Sequence, residues 1–290
     1  METSELLQRV RHIEIKTRAL ADSIFSGEYH SAFKGRGMSF AEVREYQEGD
    51  EVHDIDWNVT ARLDRPFIKV YEEERELTVM LVIDVSESLN FGTVSRSMRE
   101  LAAEIAATLA FSAVRAGDKI GALFFSDRIE KFIPPAKGRK HILLIIRELL
   151  GFKPSGIRTN VGMAVEYLTR LVKKRCIAFL LSDFLDFQDY ATSLTIASRK
   201  HDVVALKLFD RRLAVLPDVG LMKVMDAETG HEVYLDTSSK KVRMQHSAWW
   251  NKEQRRLDEL FNKCRVDNVA ISTDEDYVKK LMFLFRKRKG

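Results

Sequence analysis

Short apolar segments alternate with amphipathic segments along the chain from residue 77 onward. LTVMLVI at 77–83 is apolar except for Thr78, and RCIAFLLSDF at 175–184 and DVVALKLF at 202–209 contain similar runs. Uninterrupted apolar runs of this length are typical of strands that are buried on both faces of a parallel sheet. Because such strands need helices to connect and cover them, the pattern predicts an α/β fold with a doubly wound, mostly parallel sheet.

The segments between these strands have helical periodicity or the residue types of turns. Two strands, at 118–126 and 128–135, are joined by a short turn and are expected to form an antiparallel edge. Residues 220–236 predict a hairpin whose turn contains Glu228, Thr229 and Gly230. Helices are predicted over residues 95–115, 139–150, 189–200, 238–263 and 274–287, and one more begins within RTNVGMAVEYLTRLVKK at 158–174.

The N-terminal part of the chain differs from the rest in composition and in hydrophobic pattern. Residues 4–25 predict an amphipathic helix that packs on the main body, whereas residues 26–76 are rich in glycine and charge. Only FIKVY, at 67–71, alternates like an edge strand. We therefore expect residues 1–76 to form a helix and an irregular charged segment packed on the core, and residues 77–290 to form the main domain with a hairpin insertion near 220–236.

The composition limits the classes of function. A hydrophobic content of 45% over 290 residues can supply a substantial core, and a net charge of +4 is too small to indicate nucleic-acid binding. Two cysteines cannot form a disulfide framework, which favours reduced thiols and a cytoplasmic location. We expect no secretory signal and no transmembrane segment, while the basic tail LMFLFRKRKG leaves peripheral contact with an anionic membrane open.

Polar residues follow the apolar strands at the points where these strands end. Asp84, Ser86 and Ser88 follow the strand at 77, and Ser182–Asp183 ends the strand at 175. Thr159 lies between them at a junction of loop and helix. Ligands in open α/β sheets bind outside the carboxyl ends of the strands, where the strand order reverses. If the two strands are neighbours across that point, these side chains converge.

Two carboxylates with several hydroxyl groups suit a hard divalent cation. Mg²⁺ prefers six oxygen ligands and keeps several waters, so a carboxylate from a ligand can take an open position. Without a metal, two nearby aspartates repel each other, which raises one pKa. Taken singly, Thr159, Asn160 or Asp183 is most often a helix N-cap, and Ser86 and Ser88 are most often turn residues. Their joint spacing favours a site for one Mg²⁺ or Mn²⁺.

The motifs DVSES, RTN and LLSDF resemble the metal-ion-dependent adhesion site of von Willebrand factor A domains. The resemblance covers about residues 77–275 and implies a Rossmann-like sheet of that type. In that family, an Asp and two Ser of the first motif, a Thr and a later Asp coordinate Mg²⁺ directly or through water, and a ligand acid often completes the shell. The resemblance therefore implies metal ligands at five positions: Asp84, Ser86, Ser88, Thr159 and Asp183.

A second resemblance covers nearly the whole chain. It is carried by GRG at 35–37, REY at 44–46, GD at 49–50, IDW at 55–57 and TAR at 60–62, and by the ending STDEDYVKKLMFLFRKR. These residues resemble a bacterial family called domain of unknown function 58. The resemblance implies a core like that of von Willebrand factor A and an association with MoxR-type AAA+ ATPases. Those systems are regarded as chaperones that mature protein complexes or insert cofactors.

The charged motif at 35–62 has two interpretations. In the structural one, arginines pair with aspartates and a tryptophan fills the main core, because a segment with few strands needs polar ties for its backbone. In the functional one, the motif is a docking surface for a partner. The residues concerned are Arg44, Tyr46, Asp50, Asp56, Trp57 and Arg62. GRGMSF is not a phosphate loop, because it lacks the Lys-Ser/Thr ending and a preceding strand.

These features favour a non-enzymatic binding module in which a Mg²⁺ captures an acidic side chain of a protein partner and an AAA+ ATPase remodels the assembly. The first alternative is a metal-dependent phosphohydrolase. Phosphatases of the haloacid dehalogenase type need a second Asp two residues after the first, and Ser86 occupies that position. A nucleic-acid binder that uses the basic first helix and the tail is the weakest alternative.

Overall fold

The computed structural model describes residues 3–21, 29, 32–33, 38–73, 76–93, 96–186, 188–225 and 232–289. The chain divides into two compact units. The larger unit comprises Met1–Ala32 and Thr78–Gly290, and the smaller comprises Phe33–Leu77. The N-terminal helix therefore belongs with the main domain, which differs from the predicted division after residue 76.

Most predicted elements are present with shifted ends. The strands are β1 Met38–Glu45, β2 Phe67–Glu73, β3 Thr78–Asp84, β4 Lys119–Phe125, β5 Ile129–Ala136, β6 Ile177–Ser182, β7 Asp202–Phe209, β8 Leu221–Met225, β9 Glu232–Asp236 and β10 Asp267–Ser272. The helices are α1 Thr3–Leu20, α2 Trp57–Leu63, α3 Met98–Arg115, α4 Arg139–Gly151, α5 Val161–Leu171, α6 Ala191–Lys200, α7 Arg211–Ala214, α8 Lys240–Lys263 and α9 Tyr277–Lys289.

The smaller unit is more regular than its sequence predicts. β1 and β2 form a two-stranded antiparallel sheet, and the 3-10 turn Val52–Asp54 and α2 lie between them in the chain. The expectation of an irregular, strand-poor segment is therefore wrong. The pairing register shifts between Phe40 and Glu42 of β1, and a bulge of this kind disrupts the alternation by which strands are recognised. Residues 35–37 of the predicted motif lie outside the described residues.

The predicted sheet is the centre of the larger unit. Its strand order is β10-β7-β6-β3-β4-β5, and all neighbours are parallel except β4 and β5. Along the chain, β4 and β5 are added on one side of β3. The later strands β6, β7 and β10 are added on its other side. The strand order thus reverses between β3 and β6. The doubly wound α/β fold and its antiparallel edge are confirmed.

The central strands are buried on both faces, as their uninterrupted apolar sequences predict. Met80 and Val82 of β3 pack in a core cluster with side chains from α5, α6 and α8. Val79, Leu81 and Ile83 are also fully buried, and because side chains alternate along a strand they face the opposite side. α3 contacts β3, and α1 packs on α3 and α4. The helices on both faces therefore hold the ends of β3 and β6 in fixed positions.

β8 and β9 form the predicted antiparallel hairpin, whose turn with Glu228, Thr229 and Gly230 lies outside the described residues. Residues 22–25 of the predicted first helix lie outside them as well. In the described part of the chain, no helix combines the length and the apolar character needed to cross a bilayer.

Candidate metal centre

The carboxyl ends of β3 and β6 lie side by side at one edge of the sheet, because the two strands are parallel neighbours. Asp84, the last residue of β3, is fully buried. Its Oδ1 accepts a hydrogen bond from the backbone N–H of Ser86 at 2.8 Å. Its Oδ2 accepts one from Ser182 Oγ, at the end of β6, at 2.7 Å. The first predicted site residue is thus tied to both strands.

The predicted hydroxyl groups lie next to this carboxylate. Thr159 Oγ1 is 3.3 Å from Asp84 Oδ2 and 3.0 Å from Ser86 Oγ. Ser86 Oγ and Ser88 Oγ are 3.1 Å apart. The burial of Ser86 and Thr159 limits the water that reaches them. The structure therefore brings these four predicted residues into one hydrogen-bonded cluster of oxygen atoms.

Thr159 is held in place by the start of α5. The N-cap of this helix is Asn160, whose side chain accepts a hydrogen bond from the backbone N–H of Met163 at 2.8 Å. The backbone N–H of Val161 donates to Asp186 Oδ2 at 2.9 Å. Capping is therefore done by the neighbouring residues, and the Thr159 hydroxyl is directed to Asp84 and Ser86 instead.

Asp183 has an unusual environment for a buried acid. It is 3% exposed, and its Oδ1 accepts a hydrogen bond from the backbone N–H of Leu185 at 3.1 Å. Its Oδ2 is buried and has no hydrogen-bond partner among the described residues. A buried carboxylate oxygen without a donor is costly unless a cation neutralises it. Asp183 Oδ2 is thus a hydrogen-bond acceptor of the cluster to which no described donor binds.

The surroundings of the two carboxylates favour a positive charge beside them. Burial, and then the negative charge of Asp183, raise the pKa of Asp84 to about 7 despite hydrogen bonds from Ser86 and Ser182. Burial also raises the pKa of Asp183, against hydrogen bonds from the backbone N–H of Leu185 and the side chain of Ser88 and against the positive charge of Lys207. The repulsion expected from the sequence is thus present, and burial is the larger cause. Two buried acids that repel each other gain when a cation binds between them.

Lys207 is a neighbour of the cluster that the sequence analysis did not select. It lies in β7 opposite Ser182 of β6 in the sheet register and is 4% exposed. Its Nζ donates to Gln254 Oε1 and lies 5.2 Å from the ring centroid of Trp250. Burial lowers the pKa of Lys207 to about 8, although Asp183 acts in the opposite direction. The sequence pattern that could have identified Lys207 is a charged residue inside the otherwise apolar run DVVALKLF.

Arg99 of α3 supports the loop after β3, and it was also missed. Its guanidinium donates to the backbone oxygen of Val85 at 2.7 Å and to that of Phe152 at 3.0 Å. Burial lowers its pKa, while Glu87 and Asp84 favour the charged form. Arg99 therefore fixes the backbone between Asp84 and Ser86, a role that depends on tertiary contacts and leaves no local sequence pattern.

The chemistry of the cluster is that of oxygen ligands. In the described part of the chain, no group of three or more His, Cys, Asp or Glu side chains is arranged to hold a metal ion. The cluster instead combines the Asp84 and Asp183 carboxylates with the neutral hydroxyls of Ser86, Ser88 and Thr159. A donor set of few charges and several oxygens suits Mg²⁺ or Mn²⁺ with water in the other positions.

The charged motif of the smaller unit is partly structural. Arg44 pairs with Asp50 through two hydrogen bonds of 2.8 and 2.7 Å, as the structural interpretation predicts. Asp56 caps α2 by accepting from the backbone N–H groups at positions 58 and 59, and pairs with Lys69 at 3.6 Å. The predicted pairing of Asp56 with an arginine is wrong, because cap geometry directs its carboxylate to the helix.

Trp57, the tryptophan of the charged motif, is exposed to solvent and not buried as predicted. Trp57 is 66% exposed, so the expectation that it fills the main core is wrong. It begins α2, a short helix without buried residues. Arg62, in the same helix, is exposed, and Tyr46 is half-buried. Trp57 and Arg62 are therefore available for contact with another molecule.

Comparison with known proteins identifies the family. The family model described as protein of unknown function DUF58 matches residues 42–256. The chain belongs to this family. DUF58 thus includes both the charged motif from Glu42 onward and the strands that carry the oxygen cluster.

Several proteins are similar to this DUF58 chain. The uncharacterized protein Rv1480 of Mycobacterium tuberculosis is 29% identical over 295 residues, which cover 100% of this chain and 92% of that protein. Among solved structures, the conserved hypothetical protein BatB of Bacteroides thetaiotaomicron has a TM-score of 0.48 and 17% identity, covering 73% of this chain and 98% of that one. The SpRpn10 VWA domain has a TM-score of 0.40 and 11% identity, covering 73% and 94%.

Proposed function

We propose that this chain is a non-enzymatic protein-interaction module that binds one Mg²⁺ or Mn²⁺ at the ends of β3 and β6. The observation that carries the proposal is the buried Asp183 Oδ2, which has no hydrogen-bond partner among the described residues. It belongs to the same cluster as Asp84, whose pKa is raised to about 7 by burial and by Asp183. A cation at this place would neutralise both acids.

The ion would be held, directly or through water, by the oxygen atoms of Asp84, Ser86, Ser88, Thr159 and Asp183. When bound, the ion supplies a Lewis acid that a carboxylate from a partner protein can ligate. The hydroxyls contribute oxygen without charge, so the site would keep some positive charge for an acidic ligand. Asp84 is positioned for this role by Ser182, and its loop is positioned by Arg99.

Isothermal titration calorimetry with MgCl₂ tests the metal site. We expect one Mg²⁺ to bind the full chain and Asp84→Ala to abolish binding. The matched control is Asp127→Asn, which removes an exposed carboxylate just after β4 at the same edge of the sheet. Asp127 lies 3.2 Å from Arg128 and is not part of the cluster. Equal Mg²⁺ affinity in the wild type and in Asp84→Ala would reject the site.

We further propose that the module works with a MoxR-type AAA+ ATPase in the chaperone-like maturation of protein complexes. The resemblance of the 35–62 motif to the DUF58 family supports this partner. The exposure of Trp57 and Arg62 supports a docking role for the motif, because exposed tryptophan and arginine side chains are frequent hot spots of protein interfaces. The acidic ligand at the metal centre would be a separate protein, the client.

Phosphate-ester chemistry is the competing function. Asp84 is fully buried and accepts hydrogen bonds on both oxygens, and Ser86 stands where a phosphatase of the haloacid dehalogenase type needs an acid. We therefore expect no hydrolysis of p-nitrophenyl phosphate with Mg²⁺ or Mn²⁺. If the wild type hydrolyses this ester, and the activity is lost in Asp84→Ala but kept in Asp127→Asn, then the chain is an enzyme and the proposal of a non-enzymatic module is wrong.

A further inference from the structure

The connection between β1 and β2, residues 46–66, exposes large apolar side chains. Val52 is 62% exposed, Trp57 66% and Leu63 56%. No residue of this connection is buried, so its apolar side chains do not serve to fill a core. Large apolar side chains that are exposed within one short segment are typical of a surface that contacts another molecule.

Polar contacts, and not a core, hold the connection in its conformation. The backbone N–H of Tyr46 donates to the oxygen of Pro66 at 2.9 Å, which joins its two ends. In its middle, the backbone N–H of Asp56 donates to the oxygen of Phe67 at 2.8 Å. The Thr60 hydroxyl accepts from the backbone N–H of Phe67 at 3.0 Å. A backbone that is already hydrogen-bonded loses less conformational entropy when a partner docks on it.

The connection is strongly acidic. Residues 46–66 contain six Asp or Glu residues and two Arg residues. The smaller unit as a whole, residues 33–77, has twelve Asp or Glu residues and seven Lys or Arg residues, whereas the whole chain carries a net charge of +4. The acidic character is thus a property of this unit and not of the whole chain.

Ion pairs with β1 and β2 neutralise two of the six acids. Asp50 pairs with Arg44 at 2.7 Å, and Asp56 pairs with Lys69 at 3.6 Å. The acids of the connection that have no ion-pair partner among the described residues are Glu48, Glu51, Asp54 and Asp64. Of these, all but the half-buried Asp54 are exposed.

The two arginines of the connection leave its charge negative. Arg65 pairs with Glu45 of β1 at 3.2 Å, so it neutralises an acid outside the connection. Arg62 forms no ion pair with a described residue, and its single charge is smaller than that of the four acids. A segment with Lys or Arg side chains is therefore complementary in charge. The phosphates of a nucleic acid would be repelled.

Arginine is the basic residue that suits the connection best. The backbone N–H of Asp54 donates to the oxygen of Glu51 at 3.0 Å, so these two acids lie one 3-10 turn apart. Trp57 follows Asp54 by three residues, a distance of at most about 11 Å along the chain. A guanidinium can pair with a carboxylate through two hydrogen bonds and can stack on an indole ring. A short segment with arginine can therefore contact the acids and Trp57 together.

We infer that residues 46–66 are the docking site for a basic segment of a partner protein, a segment that carries arginine and apolar side chains. The inference rests on the docking role proposed above for the charged motif, and it adds the chemistry of the partner. Basic side chains of the segment pair with Glu48, Glu51 and Asp54, and an arginine stacks on Trp57. The contact does not involve the metal centre.

Selection from a phage-displayed library of random 12-residue peptides, panned on the full chain in EDTA, tests the inference. EDTA removes any contribution of a metal ion. We expect the enriched peptides to be rich in Arg and Lys and to contain Trp, Phe or Leu. A synthetic copy of an enriched peptide is then titrated by fluorescence anisotropy. A second copy with lysine in place of each arginine keeps the charge and loses the stacking, so it should bind about 3-fold more weakly or worse.

Two changes in the protein should weaken the binding of the peptide. Glu48→Lys/Glu51→Lys reverses two exposed charges and is expected to weaken it at least about 10-fold. Trp57→Ala removes the stacking surface and should weaken it by about 10-fold. The matched control is Asp258→Lys/Glu259→Lys, which reverses two neighbouring exposed acids of α8 and is expected to bind like the wild type. Thermal melting in EDTA checks that each variant is folded.

The outcomes separate this inference from the proposed function. If the enriched peptides are not basic, or if the peptide binds Glu48→Lys/Glu51→Lys and the control equally, the connection is not the docking site. If Trp57→Ala binds like the wild type, no arginine stacks there and the inference is wrong. If the wild type sediments as a dimer that Glu48→Lys/Glu51→Lys dissociates, the occupant is a second copy of the chain and not a separate partner.

The proposed metal site and the proposed ATPase are tested by other measurements. Calorimetric titration of the wild type with MgCl₂ decides on the metal site, and its failure does not alter peptide binding measured in EDTA. If the peptide binds as expected but no AAA+ ATPase is recovered from the native host, the docking site is supported and only the ATPase is rejected as its partner.

Discussion

Buried carboxylates serve two different purposes in this chain, and Asp183 and Asp210 show the contrast. Asp210 is buried and accepts hydrogen bonds from the backbone N–H groups of Thr93 and Arg212 and from the hydroxyls of Thr93 and Thr273. Burial alone would raise its pKa, but these hydrogen bonds lower it. Asp183 keeps one oxygen without a donor, and its pKa is raised. The first is a structural acid, and the second is the kind of acid that a cation stabilises.

This contrast leads to a prediction about stability without metal. Asp183→Asn removes a buried negative charge that repels Asp84, so we expect it to stabilise the protein in EDTA by about 1 kcal/mol, or roughly 2–4 °C in melting temperature. The same variant loses the stabilisation that MgCl₂ gives to the wild type. Differential scanning calorimetry in EDTA and in MgCl₂ measures both effects.

Asp210→Asn is the matched control, because it neutralises a buried acid that is fully hydrogen-bonded. We expect it to lower the melting temperature and to leave the gain from MgCl₂ unchanged. If Asp183→Asn also lowers the melting temperature in EDTA, then Asp183 is a structural acid like Asp210 and the proposal for the metal site loses its main support.

The raised pKa of Asp84 gives a pH dependence with a definite sign. Its pKa is about 7 in the folded state, compared with an ordinary value of 3.8. The folded state therefore holds a proton that the unfolded chain has lost, and in EDTA the free energy of unfolding falls as the pH rises from 3.8 to about 7. Because Mg²⁺ competes with this proton, the gain in melting temperature from MgCl₂ should be small near pH 5 and larger near pH 8. A gain independent of pH would contradict the assignment of Asp84.

Among the elements, those with regular hydrophobic patterns were predictable. β3, β6 and β7 are continuous apolar runs, and their order follows from the reversal that places β6 beside β3. β1 was not predictable, because a bulge interrupts its alternation. The position of Trp57 was not predictable either, since nothing local in α2 distinguishes a tryptophan that fills a core from one that faces solvent.

The residues of the oxygen cluster were predictable from the sequence, but the residues that support the cluster were not. Asp84, Ser86 and Ser88 are close in sequence, and strand topology alone brings Thr159 and Asp183 to them. The roles of Lys207 and Arg99 depend on sheet register and on the packing of α3, which a single sequence does not contain. Whether these residues coordinate a metal stays a prediction.

The start of α5 offers a test of how an element positions a site residue. Asn160→Ala removes the N-cap acceptor of α5, and we expect a loss of about 1 kcal/mol in the free energy of unfolding. Because Thr159 precedes the cap and contacts Asp84, Mg²⁺ affinity should fall as well. Urea unfolding and calorimetric titration measure the two effects.

Asn160→Ser retains an oxygen that can cap the helix, so it should keep both stability and Mg²⁺ affinity close to those of the wild type. A loss of stability in Asn160→Ala without any change in Mg²⁺ affinity would show that the start of α5 does not position Thr159 for metal binding.

At the scale of the whole molecule, each of the two units exposes its own large apolar side chains. In the smaller unit these include Val52, Trp57 and Leu63, within a segment that carries many acids. In the larger unit they include Leu221 and Tyr234. An adaptor that brings a client to an ATPase needs two such surfaces.

The last prediction separates the two partners. A tagged full chain, expressed in its native host and recovered with Mg²⁺ and ATP, is expected to bring down a MoxR-type AAA+ ATPase. Trp57→Ala should reduce the recovered ATPase by about 10-fold or more, as expected for a tryptophan hot spot, and leave Mg²⁺ affinity unchanged. Trp249→Ala, a change of the same side chain in the larger unit, is the matched control and should retain the ATPase. Equal recovery by the wild type and both variants would show that the smaller unit does not dock the ATPase through Trp57.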